Sequence, residues 1–134
     1  MTVEERRQSI QLEMEAGHEA IDAAKNLVEK DLFRSAMSRA YYGLFHYIKA
    51  LLYTKDLTKD LEPKSHDGLE HLFGFHFVKA GKVDIKSAKL LARLQKYCEI
   101  SDYGLVSVFS RGDVEKELTE VEHFLNSIQG YLKI

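Results

Sequence analysis

Ser35, Arg39, Tyr42, His46, Lys49 and Tyr53 fall at alternating spacings of four and three residues. On a helix that pattern is one continuous polar stripe. Arg39 and His46 are two turns, or about 10 Å, apart along the axis and project from nearly the same face, with Tyr42 between them. These side chains suit a phosphodiester. A guanidinium holds phosphate oxygens through two parallel hydrogen bonds, and a neutral imidazole accepts a proton near pH 7. The same residues also suit the amphipathic border of a helix, with Arg paired to a carboxylate and His held by a backbone carbonyl. Spacing alone leaves both readings open.

A second run of charge lies further along. Lys82, Lys86, Lys89, Arg93 and Lys96 repeat at four, three, four and three, with Ile85, Ala88, Leu91 and Ala92 turned largely away. Lys86, Lys89, Arg93 and Lys96 are the candidate nucleic-acid contacts, because such a row can track a phosphate backbone or dock on an acidic partner. A plain solvated face is the alternative. His66, His71 and His76 are spaced by five, which turns successive rings about 140° apart on a helix. They cannot share a face, so no metal site is expected. His66 could instead cap a helix or approach the Arg39–His46 stripe. Asp102 could pair with Arg39 or orient His46, as a carboxylate fixing an imidazole does. It could equally be a turn residue. No glycine-rich phosphate loop is present, and no cofactor is implied.

Apolar period supplies the elements that must carry these residues. Ile10, Met14, Gly17, Ile21, Ala24 and Val28 predict a helix over about 3–29. A second, over about 32–55, is capped by Asp31 and bears Ala36, Ala40, Gly43, Tyr47 and Leu51. Three of those five are small, so a neighbouring helix could approach closely there. Residues 55–64, with Pro63, read as a loop. A Phe-rich third helix is expected from about Ser65 to Lys79, ended by Gly81. Asp84 caps a fourth helix to about Ile100, and Asp113 caps a fifth carrying Val114, Leu118, Val121, Leu125, Ile128 and Leu132. The expected fold class is all-α, an antiparallel bundle of about five helices in one domain over 1–134. The near-heptad stripes of the terminal helices, and the small-residue face, point to a homodimer, although the stripes also suit a plain intramolecular bundle.

Composition is consistent with this. Of 134 residues, 45% are apolar and 30% charged, enough for a core and for solubility. The lone Cys98 excludes an intrachain disulfide and suits a reducing cytoplasm. No apolar run approaches the roughly 20 residues needed to span a bilayer, so no membrane role is expected. The net charge of −2 conceals asymmetry: residues 79–96 carry six basic groups and one acidic, whereas residues 97–134 carry three and seven.

The segment AYYGLFHYIKALL resembles the AYYA-x-FHA signature of small stand-alone prokaryotic HEPN proteins. KSHDGLEHLFGFHFVKAGKVD and SDYG, residues 101–104, resemble that group's later motifs in the same order. The resemblance implies a helical bundle with a four-helix up-and-down core that dimerises. It also implies a metal-independent endoribonuclease of toxin–antitoxin type, paired with a minimal nucleotidyltransferase antitoxin. The family's catalytic pattern is an Arg followed, after four to six residues, by a His. Arg39 and His46, with six between, match it, and Tyr42 joins them as a catalytic candidate. In that chemistry His takes the proton of the ribose 2′-hydroxyl and Arg stabilises the phosphorane, leaving a 2′,3′-cyclic phosphate. This sequence departs from the pattern twice. Ala40 follows Arg39 where a polar residue is frequent, and Cys98 stands where relatives tend to carry Arg. The alternative function is a non-catalytic HEPN module that binds a nucleotidyltransferase, RNA or a nucleotide. A purely structural bundle is the third reading.

Overall fold

The computed structural model describes residues 2–55, 57, 66–102 and 108–133, with the side chains of 100–102 left out. Helices α1 (Val3–Glu29), α2 (Phe33–Tyr53), α3 (His66–Phe73), α4 (Ile85–Asp102) and α5 (Arg111–Ile128) account for most of these residues. Among them there is no strand, and no helix is long and apolar enough to cross a membrane. The all-α expectation holds.

Helix α2 is the axis of the bundle. Thirteen of its 21 residues are buried, and they touch α1, α3, α4 and α5. Cross-helix pairs fix the directions. Glu13 meets Lys49 and Ile21 lies against Gly43, so α1 and α2 are antiparallel. Ser38 meets Cys98 while Lys55 and Lys82 share the Phe77 ring, and Arg93 meets Glu117 while Lys86 lies beside His123, so α4 runs against both α2 and α5. Arg111 reaches back to Asp31, which sets α5 against α1. The result is an up-and-down core of α1, α2, α4 and α5, with α3 between α2 and α4 in the chain.

The small-residue face of α2 is occupied within the chain. Ala36, Ala40, Gly43, Tyr47 and Leu51 are all buried. A Cβ added to Gly43 would lie 2.4 Å from Ile21 Cδ1, and one added to Gly17 would lie 2.4 Å from Tyr47 Cε1. The close approach read from sequence is therefore that of α1, and this face offers nothing to a second copy.

Capping differs from the sequence expectation at two aspartates. Asp31 does not cap α2, whose N-cap is Leu32 with no side-chain hydrogen bond. Asp31 instead adopts a left-handed conformation, φ 60°, and closes α1. Its N–H donates to Val28 O at 3.0 Å and that of Leu32 to Leu27 O at 2.9 Å, the paired bonds of a Schellman end. An aspartate before an apolar run signals either role, because its short polar side chain tolerates the left-handed region. Asp113 is likewise not the cap of α5. Ser110 is, and Asp113 completes its capping box by accepting from Ser110 N–H at 2.9 Å.

The third helix also departs from a continuous 65–79 span; Ser65 itself lies outside the described residues. After Phe73 the chain widens into a π-helical turn over Gly74–Val78, where Lys79 N–H donates to Gly74 O at 2.8 Å. Gly81, at φ 75°, terminates it as expected. Asp84 caps α4, accepting from Lys86 N–H at 2.8 Å.

The two glycines are not equivalent. Overpacking typically costs about 1–3 kcal/mol, whereas Gly to Ala in a helix gains about 1 kcal/mol of propensity. At Gly43 the obstacle is the end of the half-buried Ile21 side chain, which can rotate. At Gly17 it is the buried ring of Tyr47, tethered by its hydroxyl to His18 Nδ1 at 2.7 Å. Gly17→Ala should therefore destabilise by about 1–2 kcal/mol, and Gly43→Ala by less than about 1 kcal/mol. Urea unfolding of both variants checks this; a Gly17→Ala protein as stable as wild type would refute the tight crossing.

Candidate functional site

Because α2 is so deeply buried, few of its residues reach solvent. Ser35 and Arg39 are exposed, and Tyr42 and His46 half-buried. They lie on the flank bounded by Glu13 of α1 on one side and His66 of α3 on the other. Three of the four residues singled out for chemistry on this flank, Arg39, Tyr42 and His46, come from one helix face.

His46 is held by a partner that the sequence reading missed. Its Nδ1 lies 2.8 Å from Glu13 Oε2, while Lys49 Nζ lies 3.0 Å from Glu13 Oε1. The Glu13 side chain is only 16% exposed. Burial pushes its carboxyl pKa up, but hydrogen bonds from His46 and Lys49, reinforced by their charges, outweigh that and hold it below the ordinary carboxylate value. The ionised carboxylate can only accept, so Nδ1 carries a proton, and in the neutral imidazole Nε2 presents a lone pair. Glu13 thus takes the role considered for Asp102, whose side chain lies outside the described residues.

One signal could have found Glu13. In an antiparallel pair that crosses at Gly17 and Gly43, the residue four before Gly17 lies one turn from the crossing. On α2 its counterpart is three or four residues past Gly43, which is where His46 stands.

Arg39 has no carboxylate partner among the described residues. Its guanidinium carbon sits 4.7 Å from the centroid of the Tyr42 ring. The Tyr42 ring in turn meets Tyr41 edge-on at 5.4 Å. The border reading, in which Arg is ion-paired and His rests on a carbonyl, does not describe this geometry.

His66 approaches the same flank from the start of α3. Its Nδ1 is hydrogen-bonded to the Tyr41 hydroxyl, and its ring lies 5.2 Å from that of Phe45. Phe45 also meets the His46 ring edge-on at 5.8 Å, so one phenyl ring touches both imidazoles. Burial pushes the Tyr41 hydroxyl well above its ordinary pKa, and the charges of Cys98, Tyr42, Glu70 and Glu99 push the same way. It stays protonated and has no other hydrogen-bond partner among the described residues. Donating to His66 Nδ1 satisfies it and leaves the ring proton on Nε2. His71 and His76 instead flank Phe75, away from this site.

The lysine row of α4 does not join this flank. Arg93 donates to the buried Glu117 of α5 through Nε at 2.5 Å and Nη2 at 2.8 Å. Its pKa is raised chiefly by that hydrogen bond. Lys86 lies beside Glu120 and His123 in a groove against α5. Lys82, Lys86, Lys89 and Lys96 are exposed. The row that reads as uncompensated along the chain is thus compensated through space at Arg93.

Glu13 provides a pH test. Its folded pKa is depressed, so its stabilising contribution is complete above the ordinary value near about 4.3 and disappears as pH falls through the lower folded value. Glu13→Gln should cost about 1–3 kcal/mol at pH 7, the range for hydrogen bonds to charged groups. The gap between wild type and variant in urea unfolding should narrow between pH 5 and pH 3. A gap independent of pH would mean that Glu13 is not ionised in the folded state.

Comparison with known proteins points one way. The family model described as HEPN domain matches residues 10–131. A protein of Methanocaldococcus jannaschii named as a candidate toxin is 35% identical over 127 residues, spanning 95% of this chain and 91% of its own. A second candidate toxin from that organism is 29% identical over 119 residues, spanning 89% and 78%. A UPF0332 protein of Thermotoga maritima is 34% identical over 111 residues, spanning 83% and 81%. With an all-helical fold and a family match over most of its length, this chain belongs to the HEPN domain family.

Proposed function

We propose that the chain is an endoribonuclease of the toxin type, cutting RNA at the α2 flank without a metal ion. The observation that carries this reading is the Glu13–His46 pair: it fixes the imidazole with Nε2 open, on the same stripe as an Arg39 that no described carboxylate neutralises. His46 Nε2 takes the proton from the ribose 2′-hydroxyl. The resulting alkoxide attacks the adjacent phosphorus, the bond to the 5′-oxygen breaks, that oxygen leaves as a hydroxyl with a proton from water, and a 2′,3′-cyclic phosphate remains. Arg39 meets the charge that builds on the phosphorane oxygens, and Tyr42 keeps its guanidinium over the stripe. His66, with its proton on Nε2, can donate a hydrogen bond to a phosphate oxygen from the α3 side. The candidate-toxin names of the relatives agree with a toxic activity. The HEPN resemblance adds a minimal nucleotidyltransferase as antitoxin partner and a homodimer as working unit.

General-base catalysis contributes about 10²–10⁴-fold, so His46→Ala should lower cleavage of a single-stranded RNA by that factor without loss of helical circular dichroism. Arg39→Lys should also be severely impaired, because an ammonium cannot present two parallel donors. Cleavage should survive EDTA, and a 2′-deoxy sugar at the cut site should block it. Equal trace cleavage by wild type and His46→Ala would reject catalysis. It would favour the non-catalytic binding module, a reading to which the Cys98 departure already leans.

Assembly is tested separately. Sedimentation at micromolar concentration should give twice the chain mass of 15.4 kDa. A species of 15.4 kDa alone would exclude the homodimer, whose small-residue rationale the α1–α2 packing has removed.

A further inference from the structure

One buried charge on the α2 stripe has no task in the cleavage chemistry. Lys49 is 8% exposed, and a lysine is almost never so buried unless its ammonium is paired. Its partner is Glu13, with Nζ 3.0 Å from Oε1. No other carboxylate lies within ion-pair distance of Lys49 among the described residues. The ammonium also sits 5.8 Å from the centroid of Phe45, the ring that touches both His46 and His66. A carboxylate oxygen and an aromatic face are both seats for a cation.

Glu13 is a buried anion with two neighbours able to balance it. Among the described residues it bonds only to Lys49 and His46, one at each oxygen. One positive charge neutralises it; a second would leave an unpaired cation in a poorly hydrated place. Which neighbour supplies that charge decides what His46 can do. If the imidazole supplied it, Nε2 would carry a proton and could not accept one. A free ammonium titrates about four units above a free imidazole, so at neutral pH the charge falls to Lys49. The other titratable groups near the ring are Arg39 and Tyr42 on the same stripe and His66 of α3 across Phe45. Neither Arg39 nor His66 is within ion-pair distance of Glu13, so neither can take over this task.

We propose that Lys49 is a positioning residue for the base: by carrying the one positive charge that Glu13 requires, it keeps His46 neutral with Nε2 open. The proposal rests on reading His46 as the general base of RNA cleavage and adds what holds that base in its active protonation state. Glu13 then fixes the tautomer and Lys49 the charge. Without Lys49 the buried carboxylate would draw a second proton onto the imidazole, and the stripe would present two cations and no base.

NMR titration of the His46 ring protons, assigned by their loss in His46→Ala, tests this without RNA. Lys49→Met keeps the apolar stem and removes the charge, and should raise the His46 midpoint by about 1–2 pH units, the scale for an unbalanced neighbouring carboxylate. Lys49→Arg should restore the wild-type midpoint. So should Lys49→Met combined with Glu13→Gln, where no anion is left to balance. In cleavage assays the acid limb of the pH–rate profile should move by the same interval. The Lys49→Met rate would then fall about ten- to a hundredfold well below the midpoint and approach that of wild type well above it. An unchanged midpoint in folded Lys49→Met would overturn the proposal. Should that variant be unfolded at about pH 8, it should regain helical circular dichroism near about pH 6. The imidazolium that balances Glu13 stabilises the fold at low pH, and that contribution is lost as pH rises through its folded pKa. No recovery on acidification would also overturn the proposal. If the midpoints move as expected but the wild type cuts no RNA, the ribonuclease reading falls and the charge assignment stands. If RNA is cut and the acid limb stays in place, the reverse holds.

Discussion

Two glycines set how near α1 lies to α2, and much of the polar chemistry follows from that distance. Gly17 and Gly43 leave room only for each other's neighbours, the Tyr47 ring and the Ile21 side chain. At such an approach, side chains one turn from the crossing meet head-on. On one flank Glu13 then meets His46 and Lys49; on the other, His18 meets Tyr47. A wider crossing would leave the Glu13 carboxylate in water, where an exposed ion pair contributes little and fixes no tautomer.

Glu13 is mostly buried, and a buried carboxylate is tolerated only with full compensation. Lys49 supplies charge and a hydrogen bond to one oxygen, and His46 supplies a hydrogen bond to the other. The arrangement stabilises the fold and orients the imidazole together. A carboxylate, once committed to Nδ1, leaves Nε2 as the atom that faces a ligand. At His66 the order is reversed, because the partner there is a buried hydroxyl that must donate. Two imidazoles touching one phenyl ring thus present different chemistry, one an acceptor and one a donor.

The helices were legible in the sequence because burial imposes a period of 3.6 on each. So were the chemistry-bearing stripe of α2 and the stop at Gly81. Features that depend on a partner far along the chain were not. Glu13 and Glu117 are each unremarkable in their own helices, yet one defines the state of His46 and the other engages Arg93. The small-residue stripe announced a close neighbour but could not say that α1, rather than a second copy, fills it. Asp31 and Asp113 were misassigned for a local reason. A short polar side chain at a helix boundary can cap the next helix, close the last one, or complete another residue's cap, and these differ only in backbone geometry.

Arg39 and Arg93 show how the same residue type is sorted by its surroundings. Both lie on cationic or polar stripes that look alike in one dimension. Arg93 faces α5, whose Glu117 is 4% exposed, and a guanidinium engaged at both Nε and Nη2 cannot leave without stranding a buried charge. Arg39 faces outward over a tyrosine ring, an attraction of about 0.5–1 kcal/mol at an exposed site. An incoming phosphate could displace the second contact easily and the first only at high cost. The cationic surface available to an anion is therefore smaller than the charge pattern suggests, and it is concentrated where lysines and Arg39 lack described acidic partners.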